Sequence, residues 1–301
     1  MMRTPFTGIG TALVTPFTKD GSIDDAAVRR LVRRQLDAGI HFVSPCGTTG
    51  EAPTLSHGEK VRVVQLVVDE TAGRVPVLAG AGGYDTREVI ALAREFEHLG
   101  VDGILSVTPY YSKPTQEGLF QHYKAISESI SLPIVLYNVP GRTGVNLEVA
   151  TVVRLSALRN IVGVKEASCN VVQMSEILRA VREDFLLVSG DDPLAVAVMA
   201  IGGRGLISVA SNAVPGEMVQ IIELAEKGDV AAARRLHGWL LPFLLVNFVE
   251  ANPIPIKAAM AAMGLVEEVY RLPLVSPGAV ARDKIMHVLQ ELKLLGSAAR
   301  V

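Results

Sequence analysis

Lys165 ends the apolar run Ile161-Val162-Gly163-Val164 and is followed by Glu166. On an extended strand it shares a face with Gly163, and that face could point inward. An unpaired interior ammonium is costly, and the usual escape is a depressed pKa. A neutral amine in such a place attacks a carbonyl and forms a Schiff base. The competing reading is a lysine paired with Glu166 or another carboxylate, and position alone leaves both open. Tyr137 ends another apolar run. Its phenol is either a proton relay for imine chemistry or a half-buried aromatic with a satisfied hydroxyl. Thr48 and Thr49 lie between Gly47 and Gly50. Their hydroxyls and backbone N–H groups suit a carboxylate, although Thr and Gly are also ordinary turn residues. Arg142, in Pro140-Gly141-Arg142-Thr143-Gly144, is either a clamp for a second carboxylate or a surface charge.

Other chemistries find less support. The six histidines, His41, His57, His98, His122, His237 and His287, show no ligand spacing, so no metal site is expected. Cys46 and Cys169 make neither a disulfide framework nor a thiolate site and read as small buried hydrophobes. Gly80, Gly82 and Gly83 do not form the spaced dinucleotide fingerprint, so no nucleotide cofactor is expected. Asp191 and Asp192 read as a helix N-terminus rather than as catalysts.

These residues need elements to position them, and the chain alternates short apolar runs with longer amphipathic ones. The predicted strands are Ile9 to Thr15, Phe42 to Pro45, Val75 to Ala79, Gly103 to Thr108, Pro133 to Tyr137, Ile161 to Lys165, Leu186 to Ser189 and Gly205 to Val209. Helices are expected from an Asp24 cap to Ala38, after a Ser56–Glu59 capping box, and over Thr86–Leu99 and Thr115–Ile130. More are expected near Leu147–Leu155, Val171–Val181, Asp192–Ala200 and Pro215–Lys227. A doubly wound sheet competes with a closed barrel. Eight successive βα units with wholly apolar strands favour the (β/α)8 TIM barrel. Beyond Gly228, Val230 to Phe248, Ile254 to Met263 and Gly278 to Leu295 read as a C-terminal helical appendage. The expected division is a catalytic barrel over 1–228 and a helical unit over 229–301. The candidate residues then cluster at the C-terminal ends of the strands, where barrel active sites lie.

Composition narrows the class. With 29 Lys+Arg against 31 Asp+Glu, the net charge of −2 argues against nucleic acid as a main partner. The most apolar long stretch, Leu236 to Val249, is too short to span a bilayer and holds Gly238, Pro242 and Asn247. The N-terminus lacks signal-peptide features, so no membrane partner and a cytoplasmic location are expected.

Several segments are recognisable together: GTTGE (Gly47 to Glu51), TPYY (Thr108 to Tyr111), YNVPGRTG (Tyr137 to Gly144), GVKEA (Gly163 to Ala167), SGDD (Ser189 to Asp192) and NPIPIK (Asn252 to Lys257). On these, almost end to end, the chain resembles the dihydrodipicolinate synthase family of the pyruvate-dependent Schiff-base aldolases and lyases. The resemblance implies condensation of pyruvate with L-aspartate 4-semialdehyde to 4-hydroxy-tetrahydrodipicolinate, with no cofactor beyond a covalent pyruvate imine on Lys165. It implies a proton relay of Tyr137, Thr49 and Tyr111, the last reaching into a neighbouring subunit's site. It implies Thr48 and Thr49 at the pyruvate carboxylate, Arg142 at the semialdehyde carboxylate, and Gly190 and Ile207 lining the site. A homotetramer, a dimer of dimers, is the implied assembly. Sugar-acting relatives share the lysine, and Arg142 separates them from the synthases. His57, Lys60, Tyr84, Glu88 and Tyr110 match the region where many relatives bind lysine as an inhibitor. His57, Glu88 and Tyr110 keep the pattern of lysine-sensitive members. Lys60 stands where those tend to carry histidine and Tyr84 where they tend to carry Asn, so weak or absent inhibition is expected.

Overall fold

The computed structural model describes residues 5–295, so the outer ends of the two expected ranges, residues 1–4 and 296–301, lie outside the described residues. Eight short strands carry the fold: β1 Gly8–Ala12, β2 Phe42–Ser44, β3 Leu78–Gly80, β4 Gly103–Val107, β5 Ile134–Asn138, β6 Ile161–Glu166, β7 Leu186–Ser189 and β8 Gly205–Ser208. They form one parallel sheet in the order β2-β1-β8-β7-β6-β5-β4-β3. A parallel bridge from Val43 to Val77, with Val43 N–H donating to Pro76 O at 3.0 Å, closes β2 against β3. The result is the (β/α)8 barrel expected from the run of βα units.

The helices between strands are α1 Asp25–Asp37, α2 His57–Thr71, α3 Thr86–Leu99, α4 Gln116–Ser129, α5 Pro140–Thr143, α6 Val149–Ser156, α7 Val171–Ala180, α8 Ala195–Ala200 and α9 Pro215–Glu226. Local chemistry starts them where the sequence says. Asp24 accepts from Ala27 N–H, and Ser56 and Glu59 complete a reciprocal capping box. The C-terminal helices α10 Val230–Val246, α11 Ile254–Ala262 and α12 Ala279–Glu291 pack on one another, and α10 also lies against α8 and α9.

The strands bury both faces. Inward side chains such as Phe42, Leu105, Val135, Val162 and Val188 fill the barrel, and a larger apolar layer lies between strands and helices. Two expectations need correction. The third strand lies over Leu78–Gly80, not Val75–Ala79, because Pro76 lacks the N–H that a ladder needs. The loop after β5 contains the short helix α5, which the sequence reading treated as irregular. Among the described residues, no helix is long and apolar enough to cross a membrane.

Candidate active site

Strand β6 is not regular where it matters. Its register with β5 pairs Ile134 with Ile161 but Val135 with Gly163, leaving Val162 as an extra residue. Such a bulge re-aims the side chains beyond it. Val162 faces the barrel interior, Val164 the helix layer, and Lys165 the interior beside Tyr137, its register partner on β5. Lys165 is 5% exposed, with Nζ 4.2 Å from the Tyr137 ring centroid. Glu166 projects to the opposite face, so the reading of Lys165 as paired with Glu166 does not hold. Among the described residues, no carboxylate lies within ion-pair distance of Lys165. Gly190, after β7, leaves room for the lysine. A Cβ there would stand 2.6 Å from Ala167 Cβ and 3.1 Å from Lys165 Cε. Ile207 on β8 is buried in the same interior cluster.

The GTTGE loop follows β2 and is held from far along the chain. Thr49 Oγ1 accepts from Asn252 Nδ2 at 3.0 Å, and Thr15 Oγ1 donates to Gly50 O at 2.7 Å. Glu51 adopts a left-handed backbone, φ +53°, and its carboxylate accepts from Lys257 Nζ at 2.5 Å. Both members of that pair are fully buried. Burial pushes the Lys257 pKa down and Glu51 opposes it. Arg142 sits on α5, which starts at Pro140 and ends at the left-handed Gly144, and its Nη2 donates to Asn252 O at 3.3 Å. Asn252 thus joins the threonine loop to the arginine helix. The sequence reading quoted Asn252 within a motif but gave it no role, because its partners lie 110 and 203 residues away.

Thr48, Tyr137 and Arg142 line one cavity of about 350 Å³, with Cys46, Lys60, Tyr110 and Asn252 among its other walls. Asp191 feels the charges of two of the site's cations. Burial raises its pKa, while a hydrogen bond from Cys169 and the charges of Lys165 and Arg142 pull it down. Asp191 does precede a short helical turn over Asp192–Leu194, as the sequence suggests, but its side chain makes no capping hydrogen bond there. Asp192 instead is buried and accepts from Ser208 Oγ, Val209 N–H and Ala210 N–H, tying β7 to β8. Cys169 is exposed with its thiol on Asp191 Oδ2 at 3.4 Å, not the buried hydrophobe expected, while Cys46 is buried.

Tyr111 stands apart from the other relay candidates. It is 93% exposed, at φ +67°, a backbone region that bulky residues rarely adopt. Of the expected lysine-binding residues, Lys60 and Tyr110 line the same cavity. Tyr84 packs edge-on against Tyr110 with centroids 5.4 Å apart, and Glu88 is close enough to help raise the Tyr110 pKa, after burial and Tyr84. His57 is turned to Glu95 at 2.8 Å. Among the described residues there is no group of three His, Cys, Asp or Glu that could hold a metal ion.

The chain's likeness to known proteins runs its whole described length. A profile of the dihydrodipicolinate synthetase family matches residues 5–292. The 4-hydroxy-tetrahydrodipicolinate synthase of Koribacter versatilis (strain Ellin345) is 49% identical over 292 residues, 97% of each chain. The crystal structure of dihydrodipicolinate synthase from Aquifex aeolicus superposes with a TM-score of 0.95 at 40% identity, covering 96% of this chain and 99% of that one. A Cyanidioschyzon merolae DHDPS solved with lysine bound gives 0.94 at 38% identity, covering 96% and 99%.

Proposed function

The chain belongs to the dihydrodipicolinate synthetase family, and from that membership we infer the part each site residue plays. It is a 4-hydroxy-tetrahydrodipicolinate synthase. It condenses pyruvate with L-aspartate 4-semialdehyde through a lysine Schiff base, a step of diaminopimelate and lysine biosynthesis. The observation that carries the residue assignment is Lys165: a buried amine without a carboxylate partner among the described residues, lying over the ring of Tyr137, which lines a cavity together with Thr48 and Arg142.

We propose the following course. The Lys165 amine adds to the pyruvate carbonyl and water leaves, giving a protonated imine. That cation is the electron sink, so the pyruvate methyl loses a proton to give an enamine. Thr48 and Thr49 hold the pyruvate carboxylate through hydroxyl and N–H donors. Arg142 holds the carboxylate of the semialdehyde so that its aldehyde meets the enamine carbon, which is the proximity contribution. Tyr137, Thr49 and Tyr111 of a neighbouring copy shuttle the protons. The substrate amino group then displaces Lys165 by transimination and closes the ring. Gly190 and Ile207 shape the pocket around the lysine.

The test is trapping. Incubation with pyruvate, borohydride reduction and peptide mapping should place the adduct on Lys165. An adduct elsewhere, or none, overturns the assignment. Offering N-acetylmannosamine, glyoxylate or glyceraldehyde beside the semialdehyde should leave the semialdehyde with the highest kcat/KM, and a preference for any other acceptor overturns the substrate.

Assembly of at least two copies is proposed, because an exposed tyrosine in a strained backbone suits cover by a partner's site, and the family resemblance extends this to a homotetramer built of two dimers. Sedimentation with activity on the same fractions checks this, and a fully active monomer refutes it. A cytoplasmic location fits two soluble substrates and two free cysteines.

A further inference from the structure

Glu166 follows Lys165 on β6, is 0% exposed, and takes no part in the chemistry above. A buried carboxylate is costly without a cation, and none pairs with Glu166 among the described residues. It is held entirely by N–H donors. Oε1 accepts from Ser168 N–H at 2.8 Å and Asn138 Nδ2 at 3.1 Å. Oε2 accepts from Asn138 Nδ2 at 3.0 Å and Gln173 Nε2 at 3.1 Å. The direction of these bonds is fixed. Leu147 N–H donates to Asn138 Oδ1 at 2.9 Å, so the Nδ2 of that amide must face Glu166, and the Ser168 donor is backbone. Only an acceptor-only group satisfies such a cradle, and a glutamine would turn its own NH2 toward a donor.

The cradle reaches three parts of the site. Asn138 adjoins Tyr137 on β5, and Glu166 adjoins Lys165 on β6. Asn146 and Leu147 close the loop that carries Arg142. Asn146 is bonded to Asn138 Nδ2 and to Gln173 Oε1, each at 2.8 Å. Asn138 and Glu166 are also register partners, in the regular stretch of ladder beyond the bulge at Val162, so the network adds side-chain ties to strand pairing at the level of Tyr137 and Lys165.

We propose that Glu166 is a positioning residue of the synthase: an anionic hub outside the barrel wall that aligns Lys165 with Tyr137 and anchors the Arg142 loop. It rests on the roles given above to Lys165 and Arg142. The test compares E166Q with wild type in rate of borohydride-trappable imine formation, semialdehyde KM and melting temperature. E166Q should slow imine formation about tenfold or more and raise the semialdehyde KM, since small misplacements of reacting groups are expensive in rate. A lower melting temperature with unchanged imine rate and KM means a merely structural role and overturns the proposal. Should E166Q fail to fold, Q173M decides, because it removes one donor and the tie to Asn146 while leaving Asn138 and Ser168. It should raise the semialdehyde KM with the imine rate unaltered, and an unaltered KM overturns the proposal. Wild type lacking an adduct on Lys165 sinks the site assignment and this proposal with it. Wild type with the adduct and an unimpaired E166Q sinks this proposal alone.

Discussion

Two lysines in this molecule are buried over aromatic rings, and they differ in what else they touch. Lys257 lies 4.4 Å from the Phe17 ring centroid, donates to Glu51 at 2.5 Å and to Thr15 O at 3.2 Å, and is fully enclosed. Lys165 lies 4.2 Å from the Tyr137 centroid and has no ion-pair partner among the described residues. Burial and an aromatic neighbour are therefore common to both. The missing carboxylate distinguishes the lysine proposed for nucleophilic attack from the one that serves as a strut. An amine held in a hydrogen-bonded ion pair is anchored to its carboxylate, whereas one without that anchor is free to meet a carbonyl.

Removing each lysine in turn separates the two roles. Lys165→Ala should abolish the trappable imine and the condensation together, and Lys257 should not take over. An adduct on Lys257 in that variant would show that the pairing with Glu51 does not silence it. Lys257→Met should keep the Lys165 adduct but leave the Glu51 carboxylate buried and unpaired. The expected cost is about 3–5 kcal/mol of stability, read from denaturant unfolding. Adding Glu51→Gln should recover much of it, since the double variant no longer buries an uncompensated charge. A Lys257→Met protein as stable as wild type would mean that the pair contributes nothing net.

The contrast also explains what the sequence makes legible. Lys165 announces itself, because an ionisable residue ending a wholly apolar strand is a local anomaly. Asp24 and the Ser56–Glu59 box are local as well, and both caps form. The strut is not local. Glu51 and Lys257 stand 206 residues apart, and nothing in either segment names the other. The helix that carries Arg142 was within reach, since Pro140 and Gly144 bracket it as start and stop signals, yet four residues are too few for periodicity to register. Asp191 is legible as the residue before a helical turn, whereas the charge it feels from Lys165 and Arg142 comes from other elements of the barrel.

Arg142 tests the boundary between chemistry and recognition. It is exposed, and its one side-chain hydrogen bond among the described residues is to Asn252 O, so little folding energy depends on the guanidinium. Arg142→Ala should lower kcat/KM for the semialdehyde by roughly 1.5–3 kcal/mol, the range for a charge-assisted hydrogen bond. The yield of pyruvate imine on Lys165 should be close to wild type. Equal losses in both steps would place Arg142 at the pyruvate end and erase the division of labour between strand β6 and helix α5.

The smallest expected effect concerns a third lysine, Lys60, and a ligand that is itself lysine. A Cyanidioschyzon merolae relative was solved with lysine bound. Here Lys60 and Tyr110 share a wall of the cavity, and Tyr84 lies edge-on against Tyr110. An incoming ammonium meets like charge from Lys60, with Glu88 the acidic group beside Tyr110 to offset it. Tyr84, where the resemblance implies that lysine-sensitive members tend to carry Asn, adds bulk against Tyr110. We propose that added lysine leaves the initial rate at saturating pyruvate nearly unchanged and gives little heat in calorimetry. Lys60→His with Tyr84→Asn should then increase the response, because it removes both the repulsion and the bulk. Strong cooperative inhibition of the wild type at low lysine concentration would show that Lys60 turns its charge away from the ligand and that Tyr84 leaves the cavity open.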